Sequence, residues 1–418
     1  MFEDWLSSIG VSLEAFCTKA TGSWWFNYAQ ALRGVGIQTV LICTSSLIDA
    51  PVRFVHEPTG AIFWALPAPR ICKFIRWFML GGTALATRKK LPWLVRAQRG
   101  MIRRLASYVS TPLTLLETVL REEQVRSLMV EEYEYPRFDF AVLLGHKMRL
   151  PVFGTFCGAF PQGLWRRPLR PLALRWCAGL AICARCEADR VKAQYGVPDD
   201  KVALIQYPLD FSIWHPSSNR MAARESLGIP ADAQVVIYHG AIQLWVKGIS
   251  VLLDAWERIV ATKKDRDVRL IIVGTGVDAP ELVRILAMRR LPGVQWVNQW
   301  VHDRSLIQRY LSSADVYAFP SQADASGISI VEAMACGLPV VASRIRGIPD
   351  LLPRGEESGG LLIPAGNVEA LSHAITRLLD DREFAQELGR RALRHAETSF
   401  SMETIGRQLT RFLLPERR

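Results

Sequence analysis

The chain of 418 residues has no stretch of 18 or more apolar residues without charge, so no ordinary transmembrane helix is expected. It lacks a Gly-X-Y register, a sustained heptad and an internal repeat of about 20–50 residues, which excludes collagen, coiled coil and solenoid. Metal-ligand spacing is scarce. Cys183-Ala184-Arg185-Cys186 has CxxC spacing with Cys177 near, but no second CxxC and no HxxxH pair follows to complete a zinc site. Eight cysteines in a chain this long do not make a disulfide scaffold, and buried reduced thiols are expected instead. That points to a reducing compartment, the cytoplasm. The N-terminus Met1–Gly10 opens acidic rather than basic, unlike a secretory signal. Hydrophobic residues at 50% and charged residues at 22% exclude a mainly disordered chain. The length suggests two or three domains at roughly 100–200 residues each.

The net charge of +11 is concentrated. The stretch Pro51–Arg104 holds eleven Lys/Arg and one acid, Glu57, and the rest of the chain is close to neutral. The same stretch is rich in aromatic and aliphatic residues, among them Trp64, Phe74, Trp77, Phe78 and Trp93. Two readings stand side by side: an interfacial helix on an anionic membrane, or core helices with a solvated basic face. Nucleic acid is not expected, because no recognisable binding motif accompanies the charge.

Short apolar runs alternate with helical patterns along the chain. Gln38–Cys43, Ala61–Leu66, Ser127–Val130, Pro151–Phe156 and Ala181–Cys183 read as strands in the first half. Pro, Ser and Asn cluster between Tyr207 and Asn219, as in a linker. The alternation then restarts with Val235–Tyr238, Leu270–Val273, Val316–Phe319 and Val340–Ala342. This predicts an α/β architecture of two Rossmann-like parallel-sheet domains facing a cleft. Ligands of such sheets bind beyond the carboxyl ends of the strands. The expected boundaries are 1–207, a linker at 208–219, 220–395, and a C-terminal helix within 396–418 packing back on the body.

The segment from Ser321 to Ser343 is the most informative. A strand ends at Pro320-Ser321, a loop carries Asp324 and Gly327, and a helix follows that ends at Gly337. The first N–H groups of such a helix lack intrahelical partners and suit a phosphate. Asp324 in the loop and Glu332 in the helix can face one ligand, and carboxylates suit hydroxyl recognition. On spacing alone, a helix-dipole acid and a partly buried Glu account for the pattern equally well.

At this point the sequence resembles a known family. Asp324-x7-Glu332, with Gly327 and Ser329 between and Ala333-Met334-Ala335-Cys336-Gly337-Leu338-Pro339 after, is similar to the signature of the retaining family-4 glycosyltransferases, group 1, of GT-B fold. Tyr238-His239-Gly240 with Lys247-Gly248, Leu270 to Gly276, Ala314 to Ser321 and Arg346 to Asp350 also fit, so the resemblance covers most of the second half. In the first half Thr155 to Gly158, Ala184 to Val191 and Tyr195 to Val202 match more loosely.

The resemblance implies a nucleotide-sugar-dependent hexosyltransferase that retains anomeric configuration. The acceptor side would be the first domain and the nucleotide-sugar side the second. Glu332 would hold ribose hydroxyls, Asp324 sugar hydroxyls, and Lys247 the diphosphate, these three forming the catalytic set. Gly22, Gly240, Gly274, Ser326, Gly327, Ile328 and Ser329 would line the donor. No metal or other cofactor is implied, the nucleotide sugar being a co-substrate. A glycan or lipid-linked acceptor, as in polysaccharide biosynthesis, and a peripheral place on the inner membrane face would follow. Three positions depart from the pattern. Ala241 stands where the family has Arg, Asp324 where it has Glu, and Cys157 where His is common. They leave open a degenerate GT-B binding or scaffold subunit. A GT-B phosphorylase or epimerase is the other alternative.

Lesser candidates read as structural. Asp265-Arg266-Asp267 has the DxD spacing of a metal site but precedes a strand, so a polar loop is expected. His146, His215, His239 and His302 show no ligand spacing, although His239 sits beside Gly240. Glu131 to Arg137 follows a strand and reads either as a ligand-binding loop or as a solvated acidic one.

Overall fold

A computed structural model describes residues 6, 11–21, 24–72, 110–156, 169–301, 303–324 and 326–414. The chain divides into two compact units. Met1–Ile182, Ala188–Ile205 and Gly406–Arg418 form the first, and Cys183–Glu187 with Gln206–Ile405 the second.

In the first unit, strands β1 (Val40–Ser45), β2 (Val52–His56) and β3 (Ala61–Pro67) form one sheet of order β1-β3-β2. β1 runs parallel to β3, but β2 is antiparallel to it. The expected parallel sheet thus carries a hairpin that the sequence reading missed. The reason is visible in β2, which turns Arg53 and Val55 outward and the buried His56 inward, a half-buried alternation rather than an apolar run. A second sheet, β4 (Leu128–Val130), β5 (Val152–Thr155), β6 (Gly179–Ile182) and β7 (Val202–Leu204), is parallel in that order. A cavity of about 1070 Å³ is walled by β1, β4, Glu131 and Arg137, among others. The C-terminal end of the helix Met402–Leu413 completes this unit, with the Phe412 ring 4.9 Å from that of Phe153.

The acidic stretch after β4 is not a solvated loop. Glu132 and Glu134 are buried, and Arg170, fully buried, donates to Asp139 Oδ1 at 2.6 Å and to the Tyr133 carbonyl. Arg190 reaches Glu134 at 2.7 Å. Removing one partner from such a buried pair costs about 3–5 kcal/mol. The network therefore pins the loop to the helix Pro136–Met148. Trp64, read as an interfacial aromatic, is also internal. It is 9% exposed and its indole N–H donates to Glu123 Oε1 at 2.8 Å, an oxygen that also accepts from Arg53. Phe74, Trp77, Phe78 and Trp93 lie outside the described residues.

The second unit is built on six parallel strands: β8 (Gln234–His239), β9 (Val268–Val273), β10 (Val294–Val297), β11 (Val316–Phe319), β12 (Val340–Ser343) and β13 (Gly360–Ile363). Their order is β10-β9-β8-β11-β12-β13. Successive residues of each central strand feed opposite cores. Val235, Ile237, Tyr317 and Phe319 enter one, and Val236, Tyr238, Val316 and Ala318 the other. Both faces are covered, which is why these strands read as continuous apolar runs. The edge strands β10 and β13 are only partly buried and gave no such run. The stretch read as a linker is anchored here. Leu209 N–H donates to the Phe400 carbonyl at 2.8 Å, and Trp214 is 4% exposed.

Candidate active site

The strand order fixes where a ligand can bind. β8 is the first strand of the unit, β9 and β10 extend the sheet on one side, and β11 to β13 on the other. The winding reverses between β8 and β11, and the crevice of a doubly wound sheet opens at the carboxyl ends of that strand pair. Here those ends are His239-Gly240 and Phe319-Pro320, with Gly274 after neighbouring β9.

The two loops at the reversal are fastened together. The Val246 carbonyl accepts from the N–H groups of Gln322 and Ala323 at 2.9 and 3.2 Å. Gly248 is in left-handed backbone at φ 66°, and a Cβ there would lie 1.9 Å from the Pro320 carbonyl oxygen. Only glycine permits both the conformation and the approach. Lys247 is thereby delivered to the loop after β11, where its ammonium lies 2.5 Å from Asp324 Oδ2. The other oxygen of Asp324 accepts from Ser326 N–H at 3.1 Å and Gly327 N–H at 3.2 Å.

Gly327, at φ 53°, caps the helix Ile328–Ala335. A Cβ at this position would meet Ile348 and Leu351 side-chain carbons at 2.7 and 2.9 Å. The helix forms because Ile330, Val331, Ala333, Met334 and Ala335 are buried on several sides, and it stops at Gly337. Since Asp324 already takes the Ser326 and Gly327 donors, the anion-binding N–H groups left in this turn are those of Ile328 and Ser329. The sequence places the phosphate-facing N–H groups around Gly327 to Ser329, and the structure removes Gly327 from that set because its N–H donates to Asp324.

One turn further in, Glu332 is 6% exposed. Its Oε2 is 2.7 Å from His239 Nε2, and its Oε1 is 3.6 Å from an Arg304 guanidinium nitrogen. Burial pushes the carboxyl up, but the His239 hydrogen bond, with the Arg304 charge, outweighs it and holds Glu332 below the usual carboxylate range. Tyr317 lies beneath. Burial raises its hydroxyl well above the usual value, Ser329 hydrogen-bonds it, and it donates to the His239 carbonyl at 3.3 Å.

Gly240, Lys247, Gly274, Asp324, Ser326, Gly327, Ile328, Ser329 and Glu332 therefore share the carboxyl end of one sheet. Gly22 and Cys157 lie outside the described residues. Ala241 contributes only its carbonyl, which accepts from the Tyr238 hydroxyl at 2.9 Å. Arg304 carried no signal in the sequence, since it starts an ordinary amphipathic helix, Arg304–Ser313, capped by Asp303. His239 carried a weak one, its place at the end of β8. Asp267 pairs with Arg269 at 3.0 Å at the opposite end of the sheet, a polar turn as expected. Cys183 and Cys177 are buried free thiols and Cys186 an exposed one.

Two α/β units of this kind, the second wound in this order with a glycine-capped helix at its reversal, define the GT-B fold. HepE of Anabaena, in complex with UDP, superposes with a TM-score of 0.67 over 95% of this chain and 98% of its own at 16% identity. Sucrose-phosphate synthase from Thermosynechococcus elongatus gives 0.66 over 94% of each chain at 19% identity. Residues 233–381, within the second unit, match the family described as Glycosyl transferases group 1. D-inositol 3-phosphate glycosyltransferase from Saccharomonospora viridis is 33% identical over 227 residues, 52% of this chain and 51% of that protein. The protein of the same name from Corynebacterium glutamicum is 31% identical over 238 residues, 55% of this chain and 56% of its own. The chain spans about half the length of the curated relatives it matches.

Proposed function

We propose that this protein is a glycosyltransferase that binds a nucleotide sugar in its second unit and transfers the sugar to an acceptor hydroxyl with retention of configuration. The observation that carries the reading is the convergence of Lys247, the Ile328 helix N-terminus and Glu332 at the sheet's reversal point. Departure of a nucleoside diphosphate builds negative charge on its phosphates. A cation and N–H groups already aimed there lower the barrier without reorganising. Glu332, an ionised acceptor at the inner end of the same helix, suits the ribose hydroxyl pair. Asp324 orders the capping turn and aims Lys247, and its carboxylate is within the chemistry of sugar hydroxyls. Ala241 leaves Lys247 as the cation of its loop. The departing phosphate would help take the acceptor proton, so no carboxylate pair of glycosidase type is required.

The donor half of the reading is supported by HepE, whose structure contains UDP. For the acceptor we propose a glycan or lipid-linked hydroxyl compound on the side of the first unit, as in polysaccharide assembly. A cytoplasmic protein bound peripherally to an anionic membrane through 51–104 fits the concentrated charge of that stretch. No helix of the described residues is long and apolar enough to cross a membrane. No resident metal is required in this scheme, since Lys247 and the helix supply the positive charge.

The test is a thermal-shift panel of UDP-, GDP- and ADP-sugars, because a ligand that binds only the folded state raises its stability. One sugar nucleotide should stabilise the protein and be slowly hydrolysed. Stabilisation without any turnover by any donor and acceptor would favour a binding subunit. Phosphate-dependent glycan breakdown would favour a phosphorylase.

A further inference from the structure

We propose that His239 is a positioning residue that makes Glu332 a reader of the donor's ribose hydroxyls. This rests on the donor reading above and goes beyond it in naming the residue that sets the geometry. His239 ends β8 and is 5% exposed, and its imidazole lies between Glu332 and the ring of Tyr317, centroid to centroid 5.4 Å from the latter. An ionised carboxylate can only accept, so Nε2 must carry the proton of the 2.7 Å contact with Glu332. His239 Nδ1 is buried without a partner among the described residues. A proton there would be an unpaired buried donor, so the Nε2–H form is the one the surroundings favour.

The consequence for Glu332 is geometric. A carboxylate has about four lone-pair sites. His239 engages one on Oε2, and Arg304 stands at 3.6 Å from Oε1. The carboxylate is held from two sides, with its plane set before a ligand arrives and with lone pairs left for two hydroxyl donors. Without His239 the side chain would be free to turn, and the buried charge would lose its hydrogen-bonded partner. A ligand that offers vicinal hydroxyls would then bind less well, while its phosphates, held by Lys247 and the helix N-terminus, would be unaffected.

The experiment compares the full chain with His239→Val and His239→Gln by calorimetry. The probes are UDP, GDP and ADP and their 2′,3′-dideoxy forms. For the base that the wild type prefers, the ribose form should bind about tenfold more tightly than the dideoxy form, a hydrogen-bond-sized difference. In His239→Val that ratio should fall to near one with dideoxy affinity unchanged. In His239→Gln, whose amide nitrogen can reach Glu332, most of the ratio should return. A ratio unchanged in His239→Val overturns the proposal. So does equal weakening of both forms, which would mark a general packing defect, and so does failure of Gln to rescue. If the wild type binds no nucleoside diphosphate at all, the donor reading itself falls and this proposal with it. If His239→Val does not fold, the ratio in folded His239→Gln decides, and a ratio near one there overturns the proposal.

Discussion

The Lys247 ammonium sits 2.5 Å from the Asp324 carboxylate, so the cation of one loop is held by the acid of the next before any phosphate arrives. Asp324 also accepts the Ser326 and Gly327 N–H groups, so a single carboxylate ties the capping turn to the lysine. Lys247→Ala should lower turnover about 10²-fold, the scale of removing one preorganised charge-stabilising donor. Lys264→Ala, an exposed lysine in the turn before β9, should leave turnover within about twofold. Equal kcat/KM for the two variants would mean that the diphosphate is held elsewhere.

Much of this site could be read from residue order, and the parts that could not have physical reasons. The central strands were legible because both faces are buried, so Val235–Tyr238 and Val316–Phe319 are unbroken apolar runs. β2, β7, β10 and β13 are edge strands or half-buried ones and left no run to read. Lys247, Asp324 and Glu332 stood out through their resemblance to a family signature, whereas His239 and Arg304 become meaningful only when the fold brings β8 and the Arg304–Ser313 helix against Glu332. The acidic stretch Glu131–Arg137 was ambiguous because burial of Glu134 depends on Arg170, 36 residues later in the sequence.

Glu332→Gln should weaken binding of the nucleotide donor while keeping the fold. The amide retains one acceptor oxygen but loses the charge that His239 and Arg304 are arranged around. A loss of about tenfold or more in donor affinity is expected. Binding within about twofold of the parent by calorimetry would remove Glu332 from the site.

Acid should destabilise the protein in two stages. His56 is held below its usual value of 6.5 by burial, although its bond to the Ala20 carbonyl opposes this, and His395 is lowered from 6.5 by burial as well. In the unfolded chain both take up protons near 6.5 while the folded forms do not, so stability falls as pH drops through that value. Glu332, lowered from 4.5, contributes stability above the usual carboxylate range and loses it as pH falls through its folded value. The melting temperature should therefore decline between about pH 7 and 5.5. His395→Gln should reduce that slope. A melting temperature flat over this window would contradict the assignment.

The basic stretch predicts salt-sensitive recovery with anionic vesicles in flotation. Trp64 is committed to the core through Glu123, so it is not available for apolar contact with lipid, whereas Val55 and Ile71 of the same stretch are exposed. Each basic residue near such a surface contributes about 1 kcal/mol, screened by salt. Replacing Arg88, Lys89 and Lys90 with Gln should cut recovery several-fold. Equal recovery with neutral and anionic vesicles would remove the membrane from the proposal and leave the donor site untouched.

Gly248→Ala should damage the site without touching any residue that meets the ligand. The new methyl carbon would fall 1.9 Å from the Pro320 carbonyl oxygen, and the backbone would have to stay at φ 66°. The conformation alone costs about 1 kcal/mol for a residue with a side chain. The clash is with backbone, so it can be relieved only by parting the β8 and β11 loops. That separation would break the contacts of Val246 with Gln322 and Ala323 and carry Lys247 away from Asp324. A displacement of about 1 Å is enough to cost about 10²-fold in rate. Gly196, also at positive φ, has open space around it, so Gly196→Ala carries the conformational strain without the clash. If the two alanine variants lose donor affinity and melting temperature equally, the loops are not mechanically coupled through Gly248. A loss confined to Gly248→Ala, with Lys247 still present in the chain, would show that the position of the ammonium matters as well as its charge.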